Sequence, residues 1–345
     1  MADDFRRERD AHFMRRAVMA AADARLVAPP NPWVGAVVVA EDGDVATGCT
    51  EPPGGRHAEI VALDNLAAAG ASSVGATVYT TLEPCSHDGR TGPCTTALID
   101  AGVARVVVGI VDPDDHVAGQ GIELLRNAGI VVETGCEGPR VTDQLASYLT
   151  HRRTGRPLVL LKLAGTLDGY LAAPDGSSKW ITGAEARADT HRLRAESGAI
   201  VVGAGTVRAD DPSLTVRDFT PPVDTSALGE SGLDPLRVVL GTAKADAKIQ
   251  PVLEHRGDLG ELLDQLGSQG VLQVLVEGGG AVAGSFHRAG LVDRYVLYLA
   301  PAFLGGGDGV PLLSGEGVVT MSELRRGRFE SVARLGEDLR VEVVF

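Results

Sequence analysis

The chain has 345 residues, 44% apolar and 23% charged, and 32 Lys+Arg against 46 Asp+Glu leave a net charge of −14. At roughly 100–200 residues per domain this length gives about two domains, each able to bury its own core, and the acidic balance excludes a surface that holds polyanions by bulk charge. Aromatics are only 4% and glycines number 44, so the cores must be built from Ala, Val, Leu and Ile around many tight turns and close approaches.

No apolar run approaches the roughly 18 residues of a membrane span, and the charged, helix-like start of the chain lacks a signal-peptide core. The expectation is a cytoplasmic α/β enzyme with neither nucleic acid nor membrane as a partner. The four cysteines, Cys49, Cys85, Cys94 and Cys136, are too scattered for a disulfide framework, which leaves metal binding or plain burial.

In chain order, helical spacing runs over 10–27 and must stop before Pro29-Pro30-Asn31-Pro32. Strands over 33–40 and 45–47 flank an acidic turn. Helices over 58–69, 94–101 and 122–128 then alternate with strands over 76–82, 105–111 and 130–133. The stretch 137–157 is polar, carries the basic run His151-Arg152-Arg153 and ends in Gly155-Arg156-Pro157. It reads as the boundary between a domain over 1–150 and another over 151–345. Beyond it come a strand over 158–163, a helix over 183–196, strands over 199–202 and 236–240, a helix over 258–266, a strand over 272–276, a helix over 281–289 and a strand over 294–299. The stretch 211–235 has no periodicity. Such alternation predicts two three-layer α/β domains, each with its own site.

His57-Ala58-Glu59 opens a predicted helix, Glu83-Pro84-Cys85 follows a strand, and Pro93-Cys94 starts the next helix. One imidazole and two thiolates at loop-to-helix junctions suit Zn²⁺ and leave a fourth position for water. Glu59 stands beside that position as a proton carrier. This is the logic of hydrolytic deamination of an amino-substituted heterocycle. Singly, His57 could cap a helix and the cysteines could be buried thiols; the pieces together argue for the metal. Cys49 and Cys136 lack such company and read as packed thiols.

Asn31-Pro32-Trp33-Val34-Gly35, His57-Ala58-Glu59 and the run from Leu82 to Cys94 closely resemble the bifunctional deaminase/reductase of riboflavin biosynthesis, and the nine-residue step between the cysteines is that family's own. The resemblance implies a cytidine-deaminase-like first domain that removes an amino group from a diaminopyrimidinone carrying a phosphoribosylamino group. It makes His57, Cys85 and Cys94 ligands of one Zn²⁺, Glu59 the proton shuttle, and Asn31, His87 and Arg90 substrate contacts, with Arg90 a phosphate fork. Thr50 stands where the family often has His. Asp112-Pro113-Asp114-Asp115 stands where it usually reads Asp-Pro-Asn-Pro, and a carboxylate there weakens the binding of an anionic substrate unless a water or cation intervenes.

In the second half, Val276-Glu277-Gly278-Gly279-Gly280 is a strand running into a triple glycine and then a helix, where bare N–H groups could hold a phosphate. Alone, a triple glycine is as well read as a flexible turn, and the Gly-x-Gly-x-x-Gly fingerprint is absent. With 161–169, 178–182 and 203–217 the set resembles the same family's reductase domain, similar to dihydrofolate reductase and using NADPH. That resemblance makes Ala164, Trp180, Thr206, Asp210, Gly279, Gly280, Ala281, Val282, Ala283, Gly284 and Ser285 cofactor contacts. It makes Ser178, Arg194, Leu214, Arg217 and Glu277 substrate contacts. Reduction of an imine-like carbon is helped by an acid at its nitrogen, for which Lys162 and Glu277 are the candidates. The family analogy also implies a homo-oligomer. Past Leu240 the route to Glu277 is short, which predicts a reductase sheet trimmed at one edge. A nucleic-acid deaminase is disfavoured by the acidic charge, and a structural zinc by the want of a fourth ligand. A deaminase whose C-terminal half is a degenerate binding domain is the remaining alternative.

Overall fold

A computed structural model describes residues 2–87, 92–114, 118–179, 181–229 and 232–345. They fall into two compact units, Met1–Thr154 with Pro221–Glu230, and Gly155–Thr220 with Ser231–Phe345.

In the first unit, helix α1 (Ala2–Ala24) starts well before the apolar spacing begins, with Asp3 and Asp4 in the first turn, where carboxylates favour a helix N-terminus. Met14, Ala17, Ala21 and Ala24 form its buried stripe. They pack on β1 (Gly35–Val39), where a Cβ on Gly35 would stand 1.9 Å from the Ala17 carbonyl oxygen. Then follow β2 (Val45–Cys49), α2 (Ala58–Ala68), β3 (Thr77–Leu82), α3 (Cys94–Asp100), β4 (Arg105–Ile110), α4 (Gln120–Asn127) and β5 (Val131–Thr134). The sheet order is β2-β1-β3-β4-β5. β1 is antiparallel to both neighbours, while β3, β4 and β5 run parallel. Parallel strands deliver their C-terminal ends, and the loops that follow, to one edge of the sheet.

The stretch 137–157, expected to be a polar boundary, instead folds into α5 (Gly138–Gln144) and α6 (Ala146–Thr154). Val141, Leu145, Tyr148 and Leu149 are buried along them. That spacing of i, i+4, i+7 and i+8 was a helical signal hidden by the charged residues between.

The second unit holds β6 (Leu158–Thr166), β7 (Tyr170–Ala172), α7 (Ala184–Ala195), β8 (Ala199–Gly203), α8 (Ala204–Asp210), β9 (Leu236–Leu240), β10 (Leu253–His255), α9 (Leu259–Ser268), β11 (Gln273–Val276), α10 (Gly280–Arg288), β12 (Arg294–Ala300), β13 (Val310–Pro311), β14 (Arg328–Leu335) and β15 (Asp338–Val344). Eight strands make one sheet in the order β10-β9-β8-β11-β6-β12-β15-β14, and β13 pairs with β7. From β10 to β12 neighbours are parallel, whereas β15 is antiparallel to β12 and β14. Val159, Leu161, Val201, Val274, Val276 and Phe286 lie in its core cluster, each worth roughly 1.5–3 kcal/mol of burial. The trimmed edge expected after Leu240 is corrected here: β10 continues the sheet beside β9 in the register Leu253↔Val238. The route to Glu277 is short because its strand has only three residues. The hairpin β14–β15 was not foreseen: in β14, RFESVARL, polar residues interrupt the apolar ones without a clear period and most positions are exposed.

Candidate functional site

In the first unit, His57 is the N-cap of α2, yet its side chain makes no capping hydrogen bond. The imidazole turns to the thiols instead, Nδ1 lying 3.2 Å from Cys94 Sγ and 3.4 Å from Cys85 Sγ. The ligand atoms of His57, Cys85 and Cys94 all lie within 4.8 Å of one another. Among the described residues this is the one group of its kind. Each comes from a different junction: the start of α2, the loop after β3 and the first residue of α3. The Cys94 N–H donates to Cys85 Sγ at 3.3 Å. A hydrogen bond from Cys94 draws the Cys85 thiol down to about 4, burial opposing and His57 assisting, while the proton stays on Cys94. A borderline imidazole with a ready thiolate and a second thiol is the donor set of a three-ligand zinc site with one open position, and a divalent cation would deprotonate both sulfurs.

Glu59, in the first turn of α2, is 3% exposed. Its Oε2 accepts from Cys94 Sγ and its Oε1 from Thr80 Oγ1, both at 3.5 Å. Burial, reinforced by the Cys85 charge, pushes its carboxyl above the usual range. Such a group can hold a proton in a cleft.

A cavity of about 460 Å³ opens onto this group. Asn31 and His87 line it as expected; Arg90 lies outside the described residues. Thr50 lines it too, its hydroxyl accepting from Val34 N at 3.0 Å. Glu83, Asp112, Tyr148 and Arg152, to which the sequence assigned no role in the site, line it as well. Glu83 accepts backbone N–H groups from Asp112 at 3.3 Å, Gly119 at 3.0 Å, Gly121 at 3.0 Å and Ile122 at 3.3 Å, tying the end of β4 and the start of α4 to the cavity wall. A Cβ at Gly121 would meet the Pro84 carbonyl oxygen at 2.1 Å, so only glycine permits that approach. Its signal was the Leu-Glu-Pro-Cys run itself.

In the second unit a cavity of about 320 Å³ is lined by Lys162, Ala164, Ser178, Thr206, Asp210, Glu277 and Gly279 of the expected set. Arg187 of α7 joins them unforeseen, and Trp180 lies outside the described residues. The triple glycine resolves into parts. A Cβ at Gly278 would collide with Val282 at 2.5 Å and one at Gly280 with the Pro311 oxygen at 2.5 Å, whereas at Gly279 its nearest neighbour would be Thr206 Oγ1 at 3.9 Å. Two glycines serve packing; the middle one leaves open backbone at the N-terminus of α10. This is a cradle a dinucleotide phosphate fits. Further along, Ala283 is fully buried with its N–H on Gly279 O, Gly284 abuts Ser314, and Ser285 Oγ donates to Ala281 O. These three serve the helix, and the open donors belong to Gly280, Ala281 and Val282.

Arg194, expected among the substrate contacts, has its guanidinium engaged within the protein. Its Nε and Nη2 donate to the Glu277 carboxylate at 2.7 and 2.9 Å and its Nη1 to Thr215 O at 3.2 Å. Against the burial, Arg194 and then Lys162 hold the Glu277 carboxyl below its usual range. Glu277 is therefore an ionised anchor. Lys162 lies with Nζ 5.7 Å from the Tyr298 ring centroid, and burial lowers its ammonium below the ordinary lysine value despite Glu277. Leu214 is buried at φ 53°, and Arg217 donates to Ser213 Oγ and His191 Nδ1. Neither lines this cavity.

Residues 7–110 match the family described as cytidine and deoxycytidylate deaminase zinc-binding region, and residues 157–341 match the RibD C-terminal domain. The riboflavin biosynthesis protein RibD of Escherichia coli (strain K12) is 37% identical, covering 97% of this chain and 99% of its own. That of Mycobacterium tuberculosis (strain ATCC 25618 / H37Rv) is 41% identical over 91% of each. Among solved structures, Acinetobacter baumannii RibD superposes with a TM-score of 0.87 at 35% identity, over 98% of this chain and 99% of that one. A diaminohydroxyphosphoribosylaminopyrimidine deaminase/5-amino-6-(5-phosphoribosylamino)uracil reductase from Thermotoga maritima gives 0.83 at 32%, with the same coverage.

Proposed function

This chain belongs to the RibD family of riboflavin biosynthesis proteins, and from that premise we propose which residues carry its reactions and what they act on. It is a bifunctional enzyme, a zinc-dependent deaminase of cytidine-deaminase-like fold joined to an NADPH-dependent reductase of dihydrofolate-reductase-like fold. The C-terminal half is a reductase domain, not a degenerate one.

The deaminase domain is assigned to the unit that runs through α6 to Thr154 and the reductase domain to the unit that begins at Gly155, since the expected boundary at 150/151 would cut α6. The first substrate is a diaminopyrimidinone bearing a phosphoribosylamino group. His57, Cys85 and Cys94 would hold Zn²⁺, which when bound supplies Lewis-acid activation of a water near neutral pH. Glu59 would take one proton from the attacking water and pass it to the ring nitrogen, then take the second from the hydroxyl left on the ring carbon and pass it to the departing amine, so that one water enters and one ammonia leaves. Asn31, His87 and Arg90 hold the substrate. The observation that carries this reading is the convergence of three ligand atoms within 4.8 Å, with the buried Glu59 carboxyl against one of them.

In the reductase domain NADPH supplies hydride to the imine-like carbon of the opened ribosyl chain. Thr206, Asp210, Ala164, Trp180 and the N-terminus of α10 bind the cofactor; Ser178, Leu214 and Arg217 bind substrate. Lys162 protonates the nitrogen, and Arg194 keeps Glu277 ionised and oriented beside it. Family likeness supports a homo-oligomer in the cytoplasm, and no described helix is long and apolar enough to cross a membrane. The test is a coupled assay on the phosphorylated diaminopyrimidinone. Ammonia release without NADPH, and NADPH oxidation only after deamination, is the expected result; NADPH oxidation with no ammonia released contradicts it.

A further inference from the structure

The deaminase cavity is an acidic place for an anion. Its described lining contains four carboxylates, Glu59, Glu83, Asp112 and Asp114, and a single lysine or arginine, Arg152 of α6. A phosphate monoester brought among these carboxylates needs a compensating cation. Arg152 is built into the wall: its Cζ lies 5.2 Å from the Tyr148 ring centroid one helical turn earlier. The Tyr148 hydroxyl in turn donates to Asp112 Oδ2 at 3.2 Å and Oδ1 at 3.3 Å. Its Nε stands 3.9 Å from Asp114 Oδ2, an ion pair beyond hydrogen-bond reach, and its side chain is 34% exposed. Asp114 is the carboxylate that occupies the place of the family's amide. Arg152 supplies the cation that such a replacement requires.

We propose that Arg152 is a specificity-determining residue of the deaminase pocket, its guanidinium binding the substrate's phosphate monoester while neutralising Asp114. The stack on Tyr148 fixes the planar fork, and a guanidinium matches two phosphate oxygens at once. Arg152 comes from a different element than the three metal-ligating residues, as a contact to the phosphate end of the substrate rather than its ring must. The inference rests on the deaminase reading above.

The experiment measures ammonia release by wild type and by Arg152→Met in the full chain, with the phosphorylated substrate and with its dephosphorylated counterpart. Met keeps an apolar stem against Tyr148, and zinc content and NADPH oxidation by the same chain report folding. The expected result is a KM for the phosphorylated substrate raised about tenfold to a hundredfold, with the penalty on the dephosphorylated one at least tenfold smaller. Adding Asp114→Asn to Arg152→Met should recover part of the loss, because a carboxylate that repels the phosphate is removed. A KM within about twofold of wild type, or equal losses on both compounds, overturns the proposal and leaves the phosphate to another cation such as Arg90. Wild-type protein that releases ammonia from neither compound overturns the deaminase reading itself.

Discussion

Glu59 and Lys162, the two proposed proton carriers, are shifted in opposite directions by the same cause, burial. Glu59 is a carboxyl raised by burial and the Cys85 charge, Lys162 an ammonium lowered by burial. Both shifts bring an acid toward neutrality, where proton transfer is most efficient. Glu59→Gln keeps the volume and removes the proton carrier. Deamination should fall by about 10²–10⁴-fold with zinc content unchanged, and a variant that has lost its zinc would show that Glu59 holds the metal site together instead. With Lys162 as the proposed proton donor its protonated form is the active one, so reductase kcat should decline as pH rises through a pKa lower than that of an ordinary lysine. In Lys162→Met that alkaline limb should vanish together with most of the rate. An unaltered limb would assign it to another group. The convergence of His57, Cys85 and Cys94 was readable because a zinc-type donor set constrains residue types and spacing; the partner of Arg194 was not, because a sequence does not show that Glu277 takes its donors.

At the scale of elements, the deaminase cavity depends on a loop held by one carboxylate. Glu83→Gln keeps the shape but sets an amide N–H₂ against N–H groups of Asp112, Gly119, Gly121 and Ile122. The expected cost is about 2–4 kcal/mol in urea unfolding of the first unit, and an unchanged midpoint would mean that the loop is held by other contacts. In the second unit, α7, β12 and β15 are joined through Asp189, which accepts from Tyr298 at 2.5 Å and Arg340 at 2.9 Å and pairs with Arg192 at 2.7 Å. Burial alone would raise its carboxyl, yet these cations hold it below the usual value. A depressed carboxylate stabilises the fold above its unfolded pKa and loses that contribution as pH falls through the folded one. Asp189→Asn should therefore lose about 3–5 kcal/mol near neutral pH, and the gap to wild type should close below about pH 4. A gap independent of pH would attribute the loss to packing.

Elements with dense apolar patterns, such as β6, β8 and β11, were legible in the sequence because strands covered on both faces need continuous apolar runs. Helix α6 was not, since its buried Tyr148 and Leu149 are outnumbered by His151, Arg152 and Arg153. What looked like a connector supplies part of a pocket wall. The short β10 and the exposed β14 escaped for the same reason: their apolar positions set no clear period.

Over the whole molecule, the proposed assignment puts different chemistry in different units: a metal triad in one, and Lys162 with the α10 N-terminus in the other. Their pairing on one chain was legible from motif order, while the assignment of each unit's residues depended on geometry. The central claim is that His57, Cys85 and Cys94 assemble one catalytic zinc site. The most direct measurement removes the metal with a chelator, titrates zinc back and follows ammonia release and NADPH oxidation in parallel. Ammonia release should vanish and return in proportion to zinc, saturating near one ion per chain, while NADPH oxidation of the deaminated intermediate stays constant throughout. Ammonia release that persists in metal-free protein, or zinc that binds without restoring it, would contradict the account.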